Sequence, residues 1–276
     1  MNRIYLIISV ARWLSLDVAL GGVIFTLASG KVAELNLPWT VVAALGCCIW
    51  LIYTLDHLID GNSLDRSPSI PRHNFHRKFR KPIFVLFSIV AGFGLWLLFY
   101  LPYLTLVYGC IMLGLVGLYF LSIWLFKIYF AKELFIAILY SCGIFLGIFS
   151  MKASIDFPIY VMFFQTMIMA FINLLLFSYF ELENDVKDGH RSWVTYFGVS
   201  KTVIHLKALF ALLIVSIISS LLYFKSVELI AMEAIFMGMG ATLFMIFARQ
   251  ELFTDHERFR WIGDLVFSFP VLIYLL

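Results

Sequence analysis

The chain predicts an all-α, polytopic transmembrane bundle of about nine spans, with its amino terminus in the cytoplasm. Three observations carry this reading. Of 276 residues, 63% are hydrophobic and only 13% are charged, where a soluble domain has about 45–50% apolar and about 25% charged residues. Apolar runs of membrane-crossing length, about 20 residues, recur from end to end. Basic residues gather in every second connection, as expected of a chain that threads a bilayer.

The elements follow in order. An apolar lead-in, Ile4 to Ala11, is closed by Arg12 and is expected to lie at the interface and be retained. The apolar runs then fall at 13–30, 37–59, 82–101, 103–126, 133–150, 157–180, 203–224, 227–248 and 261–276. The second ends in an acidic motif, the third follows a basic run, the fifth follows Lys127 and Lys132, and the sixth ends in a second acidic motif. The stretch from Val203 to Phe224 is apolar on nearly every face, which excludes the short alternating strands of a β-barrel. Nine spans use roughly 180 positions, so residues 1–276 read as a single membrane domain without a separate soluble catalytic module. Any chemistry belongs to the bundle itself.

The loops after spans two, four, six and eight hold fourteen of the 20 Lys and Arg residues, and the opposite loops hold only Lys31, Lys152 and Lys225. Basic loops stay inside, which predicts an inner or plasma membrane protein. The net charge is only +3, and no basic face exists on a soluble module, so nucleic-acid binding is excluded. Cys47, Cys48, Cys110 and Cys142 lie within apolar runs without metal-ligand spacing and read as small core hydrophobes.

Function rests with the acids, because ionisable groups at membrane depth are costly and usually functional. Six of the 17 acids fall in two places. Span two ends in Tyr53-Thr54-Leu55-Asp56-His57-Leu58-Ile59-Asp60-Gly61, with Asp56 and Asp60 at i, i+4 on one helix face. Span six ends in Glu181-Leu182-Glu183-Asn184-Asp185-Val186-Lys187-Asp188-Gly189, with Glu181, Asp185 and Asp188 on a shared face. The topology puts both on the cytoplasmic side. Paired carboxylates repel unless a cation lies between them, and hard oxygen donors without His or Cys companions suit Mg²⁺, which bridges carboxylates to phosphates. Basic residues of the same loops then meet a phosphate substrate. One acidic pair alone reads as a solvated span end; two on one side with the same spacing reverse that. His57 points away from its neighbours' face and reads as an interfacial residue. The basic run from Arg72 to Lys81 divides between headgroup anchor and substrate clamp.

At these two motifs the chain resembles the UbiA superfamily of intramembrane prenyltransferases. That family has nine helices, a motif N-D-x-x-D-x-x-x-D ending the second and D-x-x-x-D ending the sixth. Asp56 and Asp60 match the last two acids of the first motif, and Glu181 and Asp185 match the second. Asp185-Val186-Lys187-Asp188-Gly189-His190-Arg191-Ser192 resembles the family's continuation. Weaker echoes are Asp17-Val18-Ala19-Leu20-Gly21 and Phe126-Lys127-Ile128-Tyr129. The chain departs where Ile52-Tyr53 replaces the opening Asn-Asp and where Glu181 replaces aspartate, with Glu183 and Asp188 as substitute acids.

The resemblance implies Mg²⁺-dependent transfer of an isoprenyl group from a polyprenyl diphosphate to a hydrophobic, often aromatic, acceptor within the bilayer. It implies Asp56, Asp60, Glu181 and Asp185 as catalytic metal ligands. Lys127, Lys187, Arg191, Arg66 and Arg72 are the expected diphosphate contacts. No general base is assigned. Two other classes compete: a catalytically silent member that binds prenyl lipids, favoured by Ile52 and Tyr53, and a cation- or proton-coupled transporter. Acids at one rim, without a Gly/Pro-broken pair of spans, count against the transporter.

Overall fold

The computed structural model describes residues 10–62, 71–126, 132–189 and 191–276. Its helices are α1 (Leu16–Val32), α2 (Trp39–Asn62), α3 (Pro71–Lys78), α4 (Arg80–Leu97), α5 (Tyr103–Phe126), α6 (Lys132–Met151) and α7 (Phe157–Phe180). There follow α8 (Leu182–Asp188), α9 (Trp193–Phe197), α10 (Val199–Tyr223), α11 (Val227–Ala248), α12 (Gln250–Phe253) and α13 (Arg258–Leu265). No strand occurs among the described residues. Six helices, α2, α4, α6, α7, α10 and α11, are long and apolar enough to cross a membrane, and the molecule is an integral membrane protein with an all-α fold.

Prolines set several ends. Pro102 stands between the 3₁₀ turn Leu98–Tyr100 and α5, and Pro158 lies in the first turn of α7, where its missing N–H costs nothing. Gly189 (φ 72°), after α8, and Gly198 (φ 81°), between α9 and α10, take positive φ, a region that glycine enters without strain. Two predicted spans differ in detail. The last is α-helical only as α13 and continues from Val266 to Leu275 as 3₁₀ helix containing Pro270, whose ring and missing N–H are incompatible with an α-helical interior. The sixth is not continuous through its acidic motif: α7 stops at Phe180, Glu181 is the junction, and α8 resumes, with Asp185 N–H donating to the Glu181 carbonyl at 2.8 Å.

Burial ranks the helices. Two thirds (67%) of the apolar window of α7 is buried against 11% for α4, so α7 is the central post and α4 lies on the lipid side. Met162, Met169, Ile172, Leu175 and Leu176 of α7 pack with Phe25 of α1 and Phe236 and Met239 of α11 in one core. On α4 and α5, Phe84, Ile89, Leu95, Ile111 and Leu118 stay exposed, as lipid-facing residues do. Within the core, the Gln165 amide of α7 donates to Ser216 (3.1 Å) and Ser220 (3.3 Å) of α10 and to the Glu233 carboxyl (3.0 Å) of α11.

One end of the bundle is closed by tethers. The Lys31 ammonium donates to the Ile273 carbonyl at 2.7 Å, Lys152 donates to the Ala33 carbonyl at 3.2 Å, and the Thr105 and Ser150 hydroxyls pair at 2.7 Å. The carboxyl ends of α2 and α7 and the amino ends of α6 and α13 meet at the opposite end, which carries the two acidic motifs.

Candidate functional site

The rim is assembled from helix termini, and each supplies one or two polar side chains. Asn173 and Phe177 on α7 and Glu181 at its C-cap recur every four residues and so lie on one side. On α13, Arg260 and Asp264 do the same. The two faces interlock. Arg260 Nε donates to Glu181 Oε1 at 3.1 Å and Nη2 donates to Oε2 at 2.6 Å. The guanidinium lies 4.3 Å from the Phe177 ring centroid, and the Asn173 amide donates to Asp264 at 3.4 Å. Gly263 permits this approach, since a β-carbon there would stand 2.3 Å from Asn173 Oδ1 and 2.9 Å from the Phe177 ring.

A second group of charges lies between α2, α6 and the segment after α8. Lys132 reaches Asp56 at 3.6 Å, both half-buried. Its neighbour Glu133 is buried, accepts from the Trp193 N–H at 2.6 Å, and lies within electrostatic reach of Asp185. Glu181 and Asp185 are buried too, at 8% exposure each, which excludes the reading of solvated span ends. His57 corrects an expectation: it is 7% exposed, its ring nitrogen pairs with the Ser15 hydroxyl at 3.4 Å, and it lines the polar cavity. The chain before α1 folds back over α2 there, and the sequence pattern of a single helix carries no sign of that.

Two cavities meet among these residues. A polar one of about 70 Å³ is bounded by Arg12, Asp17, Tyr53, His57, Tyr140, Asn173, Arg260 and Asp264. An apolar groove of about 200 Å³ runs between α2, α5 and α6, past Val41, Cys48, Ile52, Gly109, Gly143 and Gly147, to Asp56 at its mouth. The stretch of α2 from Val41 to Asp56 is roughly 22 Å long at 1.5 Å per residue, most of a hydrocarbon core of about 30 Å. Tyr53, Ile136 and Tyr140 belong to both cavities. Long apolar chain and charged head thus have adjoining compartments.

The other expected site residues are placed as follows. Asp60 stands four positions beyond Asp56 on α2, Arg72 on α3 and Asp188 at the end of α8, each by its backbone. Glu183, Lys187 and Arg191 are exposed at the rim. Arg66 and Lys127 lie outside the described residues. Sequence reasoning did not single out Arg260, Asp264, Gly263 or Glu133. Arg260 is one of the basic residues in the loop after span eight, and an i, i+4 Arg–Asp pair at the head of the last span is its one further sign.

The donor set suits a hard divalent cation. Among the described residues, seven buried or half-buried acids (Asp17, Asp56, Glu133, Glu181, Asp185, Glu257 and Asp264) share this region with three half-buried cations, Arg12, Lys132 and Arg260. Glu133 Oε2 and Asn173 Oδ1 are buried without a hydrogen-bond partner, and buried orphan oxygens are costly. An excess of oxygen donors over cations fits Mg²⁺. No three such side chains converge on a single point among the described residues; Lys132 and Arg260 hold two of the acids.

No family model matches the sequence, and no curated protein matches it. Two solved structures do match the fold. One is a UbiA homologue from Archaeoglobus fulgidus bound to DMAPP and Mg²⁺, with a TM-score of 0.64 and 12% identity over 96% of this chain and 99% of that one. The other comes from work on digeranylgeranylglyceryl phosphate synthase in membranes, with a TM-score of 0.53 and 16% identity over 95% of this chain and 94% of that one. Identity this low leaves the shared fold as the finding, and over almost its whole length the chain has the UbiA fold.

Proposed function

We propose that this protein transfers an isoprenyl group from a polyprenyl diphosphate to a hydrophobic acceptor within the membrane, working as one domain over residues 1–276 with its site on the cytoplasmic side. The observation that carries the reading is the junction at Tyr53, Ile136 and Tyr140, where the long apolar groove opens onto the polar cavity. The groove takes the chain, whose burial follows from the hydrophobic effect, and the rim takes the diphosphate. Asp56, Asp60, Glu181 and Asp185 would hold Mg²⁺, with Glu183 and Asp188 as further acids; a neighbour of the same fold is bound to DMAPP and Mg²⁺, which supports the choice of ion. When bound, the ion offsets negative charge that builds on the departing diphosphate. Arg260 at the polar cavity and Lys132 beside Asp56, with Lys187, Arg191, Arg66, Arg72 and Lys127 of the same loops, supply charge for its remaining oxygens. The rings of Tyr53 and Tyr140 stand at the junction where an allylic carbon would ionise, and aromatic faces stabilise a nearby cation. The apolar walls limit capture by water.

The test is release of diphosphate from a polyprenyl diphosphate by purified protein supplied with membrane lipid as acceptor. Release should require Mg²⁺ and fall at least a hundredfold in Glu181→Ala and Asp185→Ala, the order of loss for an electrostatic stabiliser of the transition state. Turnover unchanged in both variants rejects the site. The substitution of Tyr53 for an acid at the first motif favours one other reading, a prenyl-lipid binder without turnover. Tight binding of the donor with no diphosphate released would select that reading.

A further inference from the structure

The bidentate pair between Arg260 and Glu181 does more than fasten α13 to α7. Glu181 is one of the acids assigned above to a metal, yet Arg260 contacts both of its oxygens, at 3.1 and 2.6 Å. Arg260 also forms a wall of the polar cavity, with Arg12 beside it and Asp17, Glu257 and Asp264 around it. That wall carries three carboxylates against two guanidinium groups, and Glu181 stands behind Arg260 as a fourth. A bare diphosphate would be repelled by such a surface, whereas a diphosphate that brings its own cations would be accepted. Asn173 Oδ1, 4% exposed as a residue and without a hydrogen-bond partner, sits in the same wall next to Asp264.

We propose that Arg260 is an exchangeable counter-ion: its guanidinium and a divalent cation are alternative partners of Glu181, and when Glu181 turns to the metal, Arg260 turns to the diphosphate oxygens. The inference rests on the transfer reading for the identity of the anion. Arg260 then has two roles, contacting the diphosphate and setting when Glu181 is available. Its planar fork matches carboxylate and phosphate equally well, so the exchange needs no new side chain. Only the partner changes. Phe177 supports the guanidinium from one ring face in the observed position, and Gly263 keeps α13 close enough for both contacts. The pair thereby keeps a buried carboxylate from standing alone, which is the expensive state for a charge away from water.

The experiment measures binding of Mn²⁺ alone to the full chain in lipid nanodiscs, read from the electron paramagnetic resonance signal of the free ion. Arg260→Gln removes the competitor, so Mn²⁺ affinity should rise about tenfold, within the usual range of coupling between two sites. Arg260→Lys, which keeps the charge without the bidentate fork, should fall between the parent and Arg260→Gln. Glu181→Gln should weaken Mn²⁺ binding and, in EDTA, tighten binding of inorganic diphosphate, because Arg260 has lost its carboxylate. A purely structural pair predicts otherwise: both neutral variants lower the melting temperature and neither moves Mn²⁺ affinity upward. Unchanged or weaker Mn²⁺ binding in folded Arg260→Gln overturns the proposal. If that variant does not fold, the Glu181→Gln arm decides, and unchanged diphosphate binding there overturns it. Mn²⁺ exchange without prenyl turnover would leave this inference standing and remove the transfer reading; turnover without exchange would do the reverse.

Discussion

Gly263 shows how narrowly the rim is built. Its missing side chain leaves the space into which Asn173 and Phe177 reach, and a β-carbon would stand 2.3 Å from the Asn173 oxygen. That atom belongs to a side chain held by Asp264, so it cannot retreat without breaking a buried contact. Gly263→Ala should therefore destabilise the protein by about 1–3 kcal/mol, the range for overpacking a filled interior, visible as a lower melting temperature in detergent. A melting temperature equal to the parent's would mean that α13 moves away from α7 at no cost. Glu233 makes the opposite kind of prediction. Its carboxyl is fully buried and accepts from the Gln165 amide at 3.0 Å. Glu233→Gln still offers an oxygen to that donor and should cost less than loss of the acceptor altogether. Glu233→Ala removes the acceptor and leaves a cavity, and should cost about 2–4 kcal/mol. Equal losses in both variants would show that the charge, and not the hydrogen bond, is what the three helices share.

At the scale of elements, the apolar groove is a property of α2, α5 and α6 together, and small residues make it. Gly143 and Gly147 of α6 bring their helix against Leu45 and against Leu37 and Val41. Gly109 of α5 differs: a β-carbon there meets nothing within 4 Å although the residue lines the groove. A side chain at 109 would project into the space assigned to the prenyl chain without disturbing the packing. Gly109→Phe should leave the melting temperature within a degree or two, since exchanges away from filled space change stability little, and should shift donor preference toward shorter chains. Competition among prenyl diphosphates of increasing length reads this directly. Unaltered preference, with the fold intact, would place the chain elsewhere. The sequence gives no sign of this element-level site, because a groove is the gap between three separate runs and each run alone reads only as apolar.

At the scale of the whole molecule, the alternation of apolar runs and basic loops was enough to anticipate the helical architecture and to put two acidic helix ends on one side. That much is legible because a bilayer forces every backbone group to be satisfied inside its own helix, so length and hydropathy decide the element. Convergence was less legible in its details. The partner of Glu181 lies 79 positions later in the chain, and an arginine at the head of an apolar run looks like any topology anchor. His57 is covered by Ser15 before α1 and by His76 of α3, and the 3₁₀ ending follows from a proline whose local effect a hydropathy reading averages away. What the pattern does commit to is sidedness, and that is open to measurement. Ser154 lies at the tethered end, in the turn between α6 and α7, and Val186 lies on α8 at the acidic rim; both are exposed. In intact cells a membrane-impermeant maleimide should label Ser154→Cys at once and should label Val186→Cys only after permeabilisation, because the charge asymmetry of the loops holds the rim inside. The four natural cysteines all lie within the predicted spans, where a charged reagent does not reach, so the signal reports the engineered positions. The reverse order of labelling would invert the molecule in the membrane and move the diphosphate site to the outer face, away from the side on which the basic loops were read to lie.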